Sequence, residues 1–271
     1  MGEHPRAADP AGSKRLGSKR RGSERRGAII DLKTPPIRGL IEVSLTHWAG
    51  RLASVVFVGG CTMRCGDCPA PHLVGWGEGK GKVPLDSVLD TIYRRRRWVD
   101  GVVVKGGEPL AHPELPDLLE LFKDFGLLVR VETNGTRPEA LRSLVSRDLI
   151  DMVAMEIRSP LSPMYHVRAG TGVDLEAIFS SIEFLLSGEV EYEFRTAVVD
   201  DERSEEDVLS IARTIRGADR YVLRSARDRG PSRSRLRKLA SRAGRHVRIC
   251  HVDGRPPDRE PRRVVIGGDR R

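Results

Sequence analysis

Glutamine is absent from these 271 residues, and asparagine occurs once, at Asn134. Amide depletion beside 31% charged residues resembles a thermophilic composition, or the output of a GC-rich genome. Either origin makes the one surviving asparagine worth locating. Cysteine is also scarce, at four, and three of those lie between residues 61 and 68. Such clustering is a poor disulfide framework for a chain this long. No apolar run approaches the roughly 18 residues that span a membrane. The N-terminus lacks the apolar stretch of a secretory signal. These absences favour a reduced, cytoplasmic chain. Aromatic residues make up 5% and are not interleaved with basic ones as in single-strand nucleic-acid binders.

Hydrophobic residues reach 39%, enough for a globular chain with a sizeable core. The net charge of +9 is unevenly spread. Residues 1–27 carry 8 Lys/Arg against 3 Asp/Glu, and residues 231–271 carry 13 against 4. The stretch 28–230 has 26 against 31 and is mildly acidic. Basic ends can touch nucleic acid nonspecifically or remain solvated without a fixed partner. The organisation read from this is a disordered basic tail over 1–27, a core domain over 28–230 and a basic C-terminal extension over 231–271.

Within the core, strand-like and helix-like segments alternate. "SVVFVG" (54–59) is a β-branched apolar run. "PLDSVLDTIYRRRR" (84–97) is an amphipathic helix, with Leu85, Val88, Leu89 and Ile92 on one face. "GVVVKGG" (101–107) is a short buried strand. A helix over 113–126 closes at Gly126. A strand follows over 127–135, then a helix over 137–148. The alternation continues with a strand (151–160), a helix (174–188) and a strand (191–199). A helix over 204–217 opens on a capping box near Ser204–Asp207, and a sixth strand covers 220–226. A further helix (233–243) and strand (246–252) follow. Six such units imply an α/β fold with a parallel sheet, curled into a partial (βα)6 TIM-type barrel. In these folds chemistry gathers at the C-terminal ends of the strands.

Cys61, Cys65 and Cys68 form C-x3-C-x2-C just after the first of those strands. Structural zinc prefers four closed ligands, so a zinc site would need His72 as the fourth. Three thiolates can instead hold a [4Fe–4S] cluster, leaving one iron open to a small molecule. Unligated buried thiols are the remaining alternative. The second strand ends in "KGGEPL", where Gly106 and Gly107 permit close backbone approach and Glu108 offers a carboxylate. The third ends in "ETNGT", which holds Thr133 and Asn134. Asn-Gly is also a common turn pair. The fourth gives "MEIRSPL", in which Glu156 and Arg158 share one strand face. Two charges inside a barrel need ligands or partners. The fifth carries Arg195 in "YEFRT".

Together these segments, over roughly residues 40–226, resemble the radical S-adenosylmethionine (SAM) enzymes. The resemblance implies a [4Fe–4S] cluster on Cys61, Cys65 and Cys68, whose open iron takes the amino and carboxylate groups of SAM. It implies reductive cleavage of SAM to methionine and a 5′-deoxyadenosyl radical. "GGEP" corresponds to the motif for the methionyl amino group, which places Gly106, Gly107 and Glu108 at SAM. Thr133 and Asn134 face the same cofactor. "MEIRSPL" resembles the Met-Asp-Ile-Lys-x-Pro-Leu segment of glycyl-radical-enzyme activases, above all the anaerobic ribonucleoside-triphosphate reductase-activating proteins. On that likeness Glu156 and Arg158 sit near SAM, and Arg195 is a candidate for its carboxylate. A barrel-closing salt bridge is the alternative for all three.

The implied partners are a glycyl radical enzyme, anaerobic ribonucleotide reductase, and an electron donor such as ferredoxin or flavodoxin. Two positions depart from the pattern. Asp67 stands where an aromatic residue is usual, and Arg224 where activases commonly have Gln. Cys250, between His246 and His251, reads as a buried strand thiol. A small-molecule radical SAM enzyme of the carboxy-deazaguanine synthase kind is the rival reading. A zinc-stabilised nucleic-acid-binding module is the rival from another class.

Overall fold

The computed structural model describes residues 32–76, 81–170, 172–226 and 229–253. The basic tail over 1–27 and the end of the C-terminal extension lie outside the described residues. Eight strands form one sheet in chain order. β1 (Ile37–Ser44) runs antiparallel to β2 (Ala53–Val58). Every later neighbour is parallel, through β3 (Gly101–Gly106), β4 (Leu128–Thr133) and β5 (Met152–Glu156). β6 (Glu191–Val198), β7 (Arg220–Ser225) and β8 (Ile249–Val252) complete it. The order ends at β1 and β8, so the sheet is open, as expected of a partial barrel.

Parallel strands are covered on both faces and therefore read as unbroken apolar runs. β2 is buried at all six positions, and β3 at its first five. The covering layer is helical, because parallel neighbours need long crossovers. It comprises α1 (Leu85–Arg95), α2 (Leu115–Asp124), α3 (Pro138–Ser146), α4 (Tyr165–Ala169) and α5 (Leu175–Leu186). α6 (Ser204–Thr214) and α7 (Arg233–Ala243) follow. α1 buries Val88, Leu89 and Ile92, three of the four residues the helical period selects, with Leu85 half-buried. Among the described residues no helix is long and apolar enough to cross a membrane.

Two features differ from expectation. β1 has no counterpart in the sequence reading. Its register slips on both sides of the Gly39–Ile41 stretch, and its burial does not alternate, so period two is lost. The capping box at Ser204 does not form. α6 takes Arg203 as its N-cap, without a side-chain cap bond. The Ser204 hydroxyl instead donates to the Asp201 carbonyl at 2.8 Å, while Asp201 Oδ1 accepts from the Arg203 N–H at 3.1 Å. α7 and β8 confirm the last two elements, and β8 adds a seventh parallel strand beside β7.

One apolar cluster of the core joins β2, β3 and β5. Trp48, Val55, Phe57, Val103 and Met152 pack there. Ala70 and Leu73 join the same cluster from the loop after β2, which carries the three cysteines.

Candidate functional site

That loop is fixed at both ends. The Gly60 N–H donates to Leu73 O at 2.8 Å and the Cys61 N–H to Val74 O at 3.1 Å, so the loop doubles back on itself. Gly60 has φ +88°, and a Cβ there would lie 2.7 Å from the Trp76 ring, so glycine is required. On the other side, the Arg64 N–H donates to Ala169 O at 2.9 Å, joining the loop to the end of α4. The backbone that presents Cys61, Cys65 and Cys68 is therefore clamped between the barrel core and α4.

All three thiols are half-buried and free of disulfides. Cys61 Sγ accepts from the Met63 N–H at 3.4 Å and from Asn134 Nδ2 at 3.9 Å. Burial pushes the Cys61 thiol up, and the Cys65 thiol up to about 11. Uncharged thiols are weak nucleophiles, so Cys61 and Cys65 are poorly suited to covalent catalysis as they stand. Among the described residues no three His, Cys, Asp or Glu side chains gather round one metal-ion position. His72, the fourth ligand a zinc site would need, is exposed on the turn Pro71–Leu73.

The end of β3 lies directly on this loop. A Cβ on Gly106 would stand 2.3 Å from Val58 O, and one on Gly107 would stand 1.8 Å from Gly60 O. The Gly107 N–H donates to Val58 O at 2.9 Å and the Glu108 N–H to Gly60 O at 2.7 Å. The glycines are thus needed for contact between two stretches of protein backbone, and both also border the cavity described below.

Glu108 is fully buried and does not border that cavity. Its Oε1 accepts from Thr133 Oγ1 at 2.7 Å and from the Leu110 N–H at 3.1 Å; its Oε2 accepts from the Asn134 N–H at 2.7 Å. It is a bracket between the ends of β3 and β4. Burial raises its carboxyl to about 7, against the lowering effect of these bonds. A carboxyl raised in the folded state favours folding at low pH. Its contribution declines as pH rises from about 4.5 to 7, by about 3 kcal/mol. Glu108→Gln cannot ionise. We expect its stability deficit relative to wild type, read by urea unfolding, to shrink between pH 5 and pH 8. A deficit that is constant across that range would contradict this account.

The central cavity, about 80 Å³, opens at the C-terminal ends of the strands. Cys61, Cys65 and Cys68 line one side, with Gly106 and Gly107 beside them. Thr133, Asn134, Glu156, Arg158 and Arg195 line the rest. Every site residue expected from sequence except Glu108 therefore borders one space. Lys105, Glu132 and Arg224 line it too. Lys105 and Glu132 lie within KGGEPL and ETNGT but are not among the site residues the sequence points to. For Glu132 the signal is the charge two positions before it, Arg130, on the same strand face; for Lys105 it is a lone charge in an otherwise apolar strand. Asp67 borders a different cleft, with Ser159, Met164 and Arg168.

The inward charges form a ladder. Lys105 Nζ meets Glu132 Oε2 at 3.2 Å, and Arg195 Nη1 meets Glu132 Oε1 at 2.8 Å. Arg195 Nε also pairs with Glu193, which accepts from Arg130 Nη2 at 2.8 Å. Arg224 Nη2 donates to Glu156 Oε2 at 2.5 Å, and the Ala197 N–H to Glu156 Oε1 at 3.0 Å. Burial would raise the Glu156 carboxyl, but Arg224, Arg158 and Arg195 hold it below the usual range. Arg195 is thus held by two glutamates, in keeping with the barrel-closing alternative. Arg158 is less committed. Its guanidinium lies 3.9 Å from Glu156, and its Nε and Nη1 are buried without a hydrogen-bond partner among the described residues. Five inward cations (Lys105, Arg130, Arg158, Arg195, Arg224) face three inward glutamates (Glu132, Glu156, Glu193). A cavity with surplus positive charge and a guanidinium short of hydrogen bonds fits an anionic ligand.

Residues 55–215 match the radical SAM superfamily. The chain belongs to that superfamily. Radical SAM enzymes generally use a [4Fe–4S] cluster and SAM, and the three thiols and the inward cations are donors of the types those groups take. A Methanocaldococcus jannaschii protein, provisionally named a glycyl-radical enzyme activating enzyme, is 26% identical over 207 residues, covering 75% of this chain and 85% of that protein. A 7-carboxy-7-deazaguanine synthase of Aquifex aeolicus is 38% identical over 77 residues, 28% of this chain and 33% of that one. Among solved structures, TYW1 with a lysine–pyruvate adduct bound superposes with a TM-score of 0.55 at 16% identity, covering 72% of this chain and 74% of that chain. At that identity the likeness is one of fold.

Proposed function

We propose that Cys61, Cys65 and Cys68 hold a [4Fe–4S] cluster and that the chain activates a glycyl radical enzyme, with anaerobic ribonucleoside-triphosphate reductase as the target. The observation that carries this reading is the convergence of the three-thiol loop, both glycine-bearing strand ends and a surplus of inward cations on one cavity. A cluster held by Cys61, Cys65 and Cys68 would supply one electron for reductive cleavage of SAM, the chemistry from which a hydrogen atom would be taken from the target glycine. Arg158, whose Nε and Nη1 lack hydrogen bonds among the described residues and whose Glu156 contact is a loose 3.9 Å, is the residue to bind the SAM carboxylate. Gly106 and Gly107 bring bare backbone to the cavity wall, where a methionyl amine can be accepted. Glu108 holds that wall against β4. Lys105, Glu132 and Arg195 brace the floor through their mutual pairs. The electron comes from a small carrier of the ferredoxin or flavodoxin kind.

The M. jannaschii relative supports the activase reading because the match spans 85% of that protein. A Clostridium pasteurianum pyruvate formate-lyase-activating enzyme matches over 89 residues at 34% identity. The surplus inward charge and the Aquifex aeolicus relative favour a second reading, turnover of a small carboxylated substrate. We expect the reconstituted protein to release 5′-deoxyadenosine at least about tenfold faster with the reductase and a reductant present than without the reductase. An EPR-detectable glycyl radical should appear on the reductase. Product formation from a small molecule alone would overturn the activase reading, and a colourless protein carrying one zinc would overturn the cluster.

A further inference from the structure

Asn134, the sole asparagine, is 8% exposed and hydrogen-bonded through its backbone N–H and both side-chain polar atoms. Its backbone N–H is held by Glu108 Oε2 at 2.7 Å. Its Oδ1 accepts from the Thr136 N–H at 3.1 Å and from Thr136 Oγ1 at 2.7 Å. With two donors on Oδ1, the amide has one satisfactory orientation, and Nδ2 must face the cysteine loop. There it donates to Thr62 Oγ1 at 3.0 Å and approaches Cys61 Sγ at 3.9 Å. Thr62 Oγ1 is held in turn by Thr136 Oγ1 at 2.8 Å. The amide is therefore oriented from both strand ends, with its donor directed at a cluster-ligand sulfur.

A neutral thiol is a weak acceptor, whereas a metal-bound thiolate carries charge and accepts more strongly. Donors to cluster sulfurs stabilise the added electron and raise the reduction potential. We propose that Asn134 is a positioning residue for the cluster, whose amide donor to Cys61 sets the potential of the one-electron couple. This rests on the cluster reading above and moves Asn134 from a SAM contact to a residue acting through Cys61. Glutamine is one methylene longer and aspartate has no N–H, so neither repeats this geometry.

The test is an EPR-monitored reductive titration of the reconstituted protein without SAM, which removes any direct SAM contact from the readout. Asn134→Asp keeps the shape and the acceptor for Thr136 but turns the donor into an anionic oxygen. Its potential is expected to fall by at least 59 mV, a tenfold loss in the reduced-to-oxidised ratio at fixed poise. Asn134→Ala, which removes the donor without adding charge, should shift the same way by less. Variants that load iron like the wild type and keep its potential overturn this inference alone. Failure of both variants to hold iron that the wild type holds also overturns it, by making Asn134 an assembly residue. A wild-type chain that takes up no iron overturns the cluster reading, and this inference falls with it.

Discussion

Replacing Cys65 with alanine is expected to reduce 5′-deoxyadenosine release to the uncatalysed background and to leave a chain that cannot keep a full complement of iron. Cys250→Ala should retain both. Only two thiols would remain beside a cavity built around three. Two protein ligands leave two irons of a four-iron cluster without anchorage. The fold should survive, because the loop is fixed by other groups. Ala70 and Leu73 hold it to the inner core, and the Arg64 N–H holds it to Ala169. Loss of one half-buried sulfur there should change stability by no more than about 1 kcal/mol. Cys250 is a control of the same chemistry. It sits on β8 opposite Tyr221, does not border the cavity, and is pushed up to about 12 by burial. Iron content and nucleoside release, measured together on both variants, test the pair. Cleavage surviving in Cys65→Ala would overturn the assignment of the loop.

The parallel strands and their helices were legible because their periods differ and each segment is nearly uniform. β2 and β3 are unbroken apolar runs, and α1 and α2 keep the 3.6-residue stripe. β1 was not legible, since two register slips and a glycine erase its alternation. The cysteine spacing told which loop mattered, but not what holds it. Trp76 over Gly60 depends on how the loop folds back on itself, and Ala169 against Arg64 joins segments distant along the chain. Glu108 shows the limit most clearly. A carboxylate in a glycine-rich strand end could face a ligand or a neighbouring strand. Only the register of β3 on β4, with Thr133 and Asn134 at its end, decides for the neighbour. The charge ladder was half visible. Glu156 and Arg158 read as inward from their alternation, whereas Arg130 and Glu193 look like ordinary strand residues; the register sets Glu193 one inward layer below Glu156, level with Ala154, and Arg130 a further layer down, level with Met152.

Those deeper layers should carry the largest stability effect in the molecule. Glu193→Ala is expected to destabilise the protein by about 3–5 kcal/mol at pH 7, because it leaves buried cations without their counter-charge. Arg130 is 0% exposed and makes its close ion pair, at 2.8 Å, with Glu193. The next carboxylate, Glu132, is 3.8 Å away and is shared with Lys105 and Arg195. Burial already lowers the Arg130 guanidinium to about 10, which marks the strain of holding that charge. Burial alone would raise the Glu193 carboxyl, but Arg195 and Arg130 outweigh it and hold it at about 2. A carboxyl lowered in the folded state stabilises above its unfolded value and loses that contribution as pH falls toward 2. The difference between wild type and Glu193→Ala should therefore narrow by about 2 kcal/mol from pH 7 to pH 3. Adding Arg130→Met to Glu193→Ala removes the orphaned charge and should recover much of the loss, since a buried pair can be replaced by apolar side chains at little cost. Urea unfolding of the single and double variants at both pH values reads all of this. A single variant as stable as wild type at pH 7 would mean that Glu132 alone can neutralise the deep cations. The ladder would then be held by Glu132, with Glu193 contributing nothing to it.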